Sequence, residues 1–362
     1  MVETITLADH HRKKTIMTPL FLLNALLLAI GTCGGPTVMR LYYLHGGNRI
    51  WLASLLETGG WPLNFIPLLI TYLHRRRNKE GSAAAKLYFM DGRVFAAAAV
   101  IGVLTGADDY LYAYGVSKLP VSTTALIIAS QLGFTALFAF LLVRQKFTSY
   151  SINAIFLLTV GAGVLALHTS TDRPAGESKG EYYLGFFLTL AAAALYGFVL
   201  PLVELTYKKA KQAVTYTLVM EIQLVMCFFA TVVCAVGMLI NKDFQAIPKE
   251  AKVFELGETA YYLVLVCSAI AWQCFFLGAI GVVYSASSLV SGIILALLLP
   301  VTEVLGVICF HEKFQPEKGL SLLLALWGFL SYFYGELKHS KKKNKTQDQC
   351  LETELPPRII AP

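Results

Sequence analysis

The sequence predicts an all-α polytopic membrane protein with ten transmembrane helices in two five-helix repeats, the second inverted relative to the first. Three observations predict it. Of 362 residues, 56% are hydrophobic and only 15% charged, well below the roughly 25% charge of a soluble domain. The apolar residues gather into ten runs, each close to the roughly 20 residues a helix needs to cross about 30 Å of hydrocarbon. Finally, the two halves match at a nearly constant separation. Pro36 pairs with Pro201, Glu57 with Glu221, GVSKLPVSTTALI (115–127) with GVVYSASSLVSGI (281–293), and RQKF (144–147) with HEKF (311–314). A unit with an odd number of spans, used twice, puts its second copy upside down in the bilayer, as in many secondary transporters.

Each element follows from local residues. A polar segment (1–16) with His10, His11, Arg12, Lys13 and Lys14 precedes span 1 (17–39), and no short apolar stretch with a cleavage site reads as a removable signal. Span 1 carries GTCGGP (31–36), whose proline removes a backbone hydrogen bond and bends the helix. Span 2 (50–73) runs into Arg75-Arg76-Arg77. Spans 3 (93–117) and 4 (120–143) form a hairpin at a tight turn, and span 5 (149–168) closes the first repeat, 17–168. A linker rich in Gly, Lys and Glu (169–182) leads to the second repeat, 183–337. Its spans are 183–206, with LYGFVLP answering the bend of span 1, then 214–240, 259–283, 286–310 and 317–337. The connection 241–258 reads as a polar loop. The tail, 338–362, has Lys341, Lys342, Lys343 and Lys345 and reads as disordered.

Charge sets the expected orientation. Most of the 30 Lys and Arg fall in the two end segments and in 74–93, 144–146 and 207–212, so these face the cytosol and both termini are cytosolic. The formal charge of +7 is then a topology signal facing anionic lipid. Nucleic-acid binding is disfavoured, because the charges do not gather on a folded polar surface. Six of the seven cysteines lie in apolar spans, with no CxxC or metal spacing, so neither disulfides nor a metal site is implied. No nucleophile elbow, phosphate loop or zinc-protease motif occurs, which speaks against an enzyme.

The chemistry must reside in polar residues within the spans, where a carboxylate costs roughly 2.5–3.5 kcal/mol even on a lenient scale. Glu57 and Glu221, symmetry-related and entered from opposite faces, are candidates for proton-coupled gates. The alternative is that each merely bonds a neighbour and holds helices together. Asp108 and Asp109, in GADDYLYAYG, and Glu303, in LLPVTEV, complete the proton-coupling set. Glu204, beside Lys208 and Lys209, reads as an ordinary ion-pair partner. Trp61, Trp272 and Tyr112 offer aromatic faces to a planar heterocycle, and Gln131 and Gln273 offer amides that pair bidentately with an adenine-like edge.

At these residues the chain resembles the plant purine permeases, a branch of the drug/metabolite transporter superfamily. The matching stretches include GTCGGPTVMRLYYLHGGNRIWLASLLETGGWP (31–62), GADDYLYAYGVSKLPVSTTALI (106–127), ALYGFVLPLVELTYKKA (194–210) and LLPVTEVLGVICFHEKFQPEKGLSLLLALWGFLSYFYGELK (298–338). The resemblance implies the ten-helix drug/metabolite transporter fold and proton-coupled uptake of purine bases and derivatives such as adenine and cytokinins. It implies no cofactor beyond the coupling proton, and a plasma-membrane location. Some relatives are associated with alkaloids or vitamin B6 forms, so another nitrogen heterocycle is the nearest rival substrate. A non-transporting receptor is the rival of a different class, and the internal repeat argues against it.

Overall fold

The computed structural model describes residues 19–77, 89–119, 124, 127–128, 130–167, 179–310, 316, 319–320, 323–324, 326–335 and 338. The expected N-terminal segment, most of the 169–182 linker and almost all of the tail lie outside the described residues. Among those described there is no strand. The helices are α1 (Pro19–Leu44), α2 (Ile50–Thr58), α3 (Phe65–Arg77), α4 (Gly92–Lys118), α5 (Gln131–Val143) and α6 (Ser149–Leu167). They continue with α7 (Lys179–Lys209), α8 (Tyr216–Ile240), α9 (Asp243–Val253), α10 (Glu258–Ser285) and α11 (Ser288–Phe310). Residues 326–335 form a last helix, α12. Six of these, α1, α4, α7, α8, α10 and α11, are long and apolar enough to cross a membrane, while α5 and α6 carry shorter apolar stretches. Leu22, Leu26 and Ile30 on α1, Phe140 and Leu141 on α5, and Trp327 and Leu330 on α12 expose their apolar side chains, as surfaces against lipid do.

Three elements differ from the sequence reading. The second span is not one helix. It breaks after Thr58 at Gly59-Gly60 and passes through a 3-10 turn, Trp61–Asn64, before α3. Pro62 lacks the N–H an α-helix would need there, and the paired glycines remove the side chains that favour helix continuation. In the fourth span, expected over 120–143, the described residues 124, 127 and 128 are helical, but Ser130 is in a turn, its N–H bonding the Ile127 carbonyl at 3.1 Å, and α5 starts at Gln131. Within the expected loop 241–258, α9 forms, and it buries Asp243, Glu250 and Ala251. A loop with that many polar groups to satisfy against the bundle gains by satisfying its backbone within a helix first.

The bundle is built on close backbone approaches. α1 packs along α10, α7 along α4 and α5, and α8 against α4 and α2, while α11 lies on α1 and α5. Pro36 has no N–H for the Thr32 carbonyl, and Thr302 Oγ1 from α11, which bonds its own Leu298 carbonyl at 3.0 Å, lies 3.4 Å from that free oxygen. At the α1–α10 crossing a Cβ on Gly31 would fall 2.2 Å from Phe275 N, and one on Gly278 2.3 Å from Leu28 N. Gly34 differs, since its Cβ would meet Ala271 Cβ at an ordinary 3.5 Å. Gly31→Ala must therefore force two helices apart, at a cost of about 1–3 kcal/mol. It is expected to lower the melting temperature of the detergent-solubilised protein by several degrees, and Gly34→Ala is expected to leave it unchanged.

Candidate functional site

Three carboxylates lie within electrostatic reach of one another inside this bundle. Glu57 sits in the last turn of α2, and Asp108 and Asp109 lie in the second half of α4. All three are buried, and Glu57 is within electrostatic reach of both aspartates. α2 packs against both α4 and α8, and α4 lies close on α8: a Cβ on Gly102 would fall 2.4 Å from the Met226 carbonyl, and one on Gly106 2.8 Å from that of Ala230. Along the facing stripe of α8, Gln223 Nε2 lies 2.9 Å from Cys227 Sγ, and Cys234 Sγ lies 3.7 Å from the Gly106 carbonyl. Tyr43 of α1 lies in the field of Glu57, and Tyr196 of α7 in that of all three acids.

Beside the acids stands an aromatic and amide wall. Trp272 of α10 meets Tyr112 of α4 edge to face, with ring centroids 5.9 Å apart, and Phe275 at 5.3 Å. Its indole lies on α1 because Gly35 has no side chain, where a Cβ would fall 2.8 Å from the ring. Gln273 follows it and donates from Nε2 to Asn64 Oδ1 at 2.8 Å. One oxygen of each of Glu57, Asp108 and Asp109 has no hydrogen-bond partner, nor do Tyr43 OH, Gln223 Oε1, Trp272 Nε1, Asn64 Nδ2 and Gln273 Oε1. An unpaired polar atom in a membrane interior costs free energy. A group of them, donors and acceptors together, fits a polar planar solute and an exchangeable proton.

The structure thus puts Glu57 within electrostatic reach of Asp108 and Asp109, and Tyr112, one turn beyond Asp108 on α4, against Trp272, the neighbour of Gln273. Trp61 packs edge-on against Phe65 at 5.8 Å and Phe228 at 5.5 Å, two rings whose faces are partly exposed. It stands at the rim of the bundle. Gln131 heads α5, its carbonyl accepting from Thr135 Oγ1 at 2.9 Å and lying beside Gly197 of α7. Glu221 is near the start of α8, and its carboxylate accepts the Phe89 and Met90 N–H groups at 3.1–3.2 Å, so it ties down the segment leading into α4. The side chain of Glu303 lies outside the described residues. Glu204 makes the expected ion pair with Lys208, at 2.8 Å, and also accepts from Ser288 N and Oγ at the start of α11. Asn64, Tyr43 and Tyr196 escaped the sequence reading. Asn64 carried the same signal as the glutamines, an amide inside an apolar run, whereas nothing in the sequence separated these tyrosines from the other sixteen.

The end of α8 away from Glu221 is fastened by a denser network. Arg49, just before α2, places Nη1 3.5 Å from Asp243 and Nε 3.3 Å from Glu250. Tyr42 OH and Tyr261 OH both donate to Glu250, and Asn241 Nδ2 donates to Asp243 at 2.9 Å. His45 Nδ1 lies 2.9 Å from Glu255, whose N–H bonds the His45 carbonyl. α9 is strapped across the α1–α2 connection.

Comparison with known proteins places the chain among transporters. A family model described as purine nucleobase transmembrane transport matches residues 19–342. The chain is similar to Purine permease 3 of Arabidopsis thaliana, 56% identical over 336 residues that cover 92% of this chain and 96% of that protein. It is also similar to Purine permease 2 of the same plant, 55% identical over 350 residues, covering 94% and 97%. One solved crystal structure superposes with a TM-score of 0.56 at 13% identity, over 87% of this chain and 98% of its own. That likeness concerns the fold alone.

Proposed function

The chain belongs to the purine permease family, whose members carry purine nucleobases across membranes, and from that premise we propose that it imports adenine, cytokinins and related purines by proton symport. The observation that carries this reading is the burial of Glu57, Asp108 and Asp109 in one cluster beside the Trp272–Gln273 wall. Three like charges cannot all persist in a low-dielectric interior, so the cluster relieves repulsion by holding a proton. Loading a proton from one side and releasing it to the other couples its gradient to the conformational change. One proton falling through ~150 mV and ~1 pH unit yields ~5 kcal/mol, at ~2.3 kcal/mol per 100 mV and ~1.4 per pH unit. For a neutral base that supports accumulation of roughly a few thousandfold.

The packing supports two inverted repeats around this site. α1 on α10 corresponds to α7 on α4, and α1 on α11 corresponds to α7 on α5. The second spans of the two halves, α2 and α8, meet each other, as do the fourth, α5 and α11. Exchanging the halves interchanges the first two pairs of contacts and maps the last two onto themselves, a symmetry that alternating access uses. In this reading Trp272, Tyr112 and Gln273 hold the substrate, with Gln131 and Trp61 as peripheral members. Glu57 and the two aspartates carry the proton, Glu221 fastens the cytosolic gate, and Glu303 completes the coupling set. Both termini are cytosolic and the plasma membrane is the site of action.

Labelled adenine uptake in cells lacking their own purine carriers tests the proposal. Uptake above the empty-vector level that collapses with an uncoupler is the expected result. Accumulation that persists at full strength with the uncoupler contradicts proton drive.

A further inference from the structure

The break in the second span delivers Asn64 to α10. A Cβ on Gly60 would fall 2.4 Å from the Ala269 carbonyl and 2.8 Å from Gln273 Cβ, so at the break the chain lies directly on α10. The 3-10 turn that follows ends on Asn64, only 2% exposed, and its Oδ1 accepts from Gln273 Nε2 at 2.8 Å. The link leaves two buried atoms without partners, Asn64 Nδ2 and Gln273 Oε1. The first is a donor and the second an acceptor. Turning both amides over leaves Asn64 Oδ1 and Gln273 Nε2, again one acceptor and one donor, so the pattern does not depend on amide assignment. The Trp272 indole N–H, on the adjacent residue, is likewise unpartnered.

We propose that Asn64, joined to Gln273, determines substrate specificity. The linked amides leave one donor and one acceptor unused, and these read the edge of a 6-aminopurine, the donor at N7 and the acceptor at an N6–H. The proposal rests on this chain carrying purines through the site described above, and it adds which edge is read and by which residue. It selects rings that keep at least one N6–H: adenine and its N6-monosubstituted derivatives, cytokinin-like compounds included. It rejects rings whose N6 carries two alkyl groups, because the acceptor of the pair is then buried against carbon. A site built to hydrogen-bond a substrate group discriminates strongly against analogues that lack it.

The test is competition against labelled adenine uptake by the full-length protein. For wild type, N6-methyladenine is expected to compete close to adenine, and N6,N6-dimethyladenine roughly 10–100-fold more weakly. Asn64→Leu and Asn64→Asp, normalised to surface abundance, are expected to raise the KM for adenine and to bring the two methylated competitors within a few-fold of each other. Collapse of that ratio is something a merely structural bond between α10 and the second span would not produce. Equal competition by the two compounds in wild type overturns the proposal without any variant, as does an unchanged ratio in a surface-expressed Asn64→Leu. The proton reading fails separately: uptake insensitive to uncoupler with the competition ladder intact overturns the coupling and leaves the role of Asn64 standing.

Discussion

Glu57→Gln is expected to abolish concentrative uptake of adenine while leaving the protein folded and still able to exchange substrate down its gradient. The substitution keeps the shape of a protonated glutamate and removes the proton that moves. Glu57 is buried among Asp108 and Asp109, and the neutral amide holds the cluster permanently in the loaded charge state. Accumulation then falls from the roughly few-thousandfold level one proton supports, ~5 kcal/mol, to about one. The pH profile separates this from simple misfolding. Wild-type uptake rises as the outside is acidified, because the outward-facing cluster must take up a proton before substrate moves, and the variant profile is flat. Asp109→Asn is expected to behave in the same way. Glu258→Gln, at the exposed start of α10, is expected to keep the wild-type profile. A Glu57→Gln protein that still accumulates adenine with wild-type pH dependence removes Glu57 from the coupling.

The second large effect is expected at Arg49. Its guanidinium faces Asp243 and Glu250, whose side chains are 0% and 5% exposed, while its own is 34% exposed. Removing it leaves two buried carboxylates with only neutral donors, Tyr42 and Tyr261 for Glu250 and Asn241 for Asp243. Breaking a buried pair costs about 3–5 kcal/mol, and the partial exposure of Arg49 places this one at the lower end. Arg49→Met is expected to release α9 from the α1–α2 connection, read as faster proteolysis within 241–257 and a melting temperature several degrees lower. The triple variant Arg49→Met, Asp243→Asn, Glu250→Gln is expected to recover most of the loss, because no buried charge is then left alone. If the triple variant is no more stable than Arg49→Met alone, packing rather than charge holds the strap.

Much of this protein is visible in its sequence because lipid imposes one rule: apolar runs of the right length become helices. That rule located the six long apolar helices and, through buried charge, the acids at 57, 108 and 109. It also marked Trp272 and Gln273, aromatic and amide neighbours in an apolar run. It failed where local chemistry overrides length. The second span breaks because Gly59, Gly60 and Pro62 outweigh its hydropathy, and that break is what puts Asn64 on Gln273. The loop 241–258 reads as polar, yet its Asp243 and Glu250 are buried, because Arg49 and Tyr42 come from elements 194 and 208 residues away and Tyr261 from the next helix. Glu57 and Glu221 look equivalent in the repeat. Their partners separate them, since Glu57 faces other acids and Glu221 faces backbone N–H groups. A pairwise match in sequence carries no information about which neighbours each copy meets.

The central claim is that a proton bound at the Glu57–Asp108–Asp109 cluster drives purine movement. Its most direct test uses purified protein in proteoliposomes, with adenine and proton fluxes followed together under an imposed pH gradient. Adenine is expected to accumulate only when protons run in the same direction, with one proton per adenine, and to stop doing so in Glu57→Gln. Adenine flux that equilibrates at the same level whatever gradient is imposed contradicts the account.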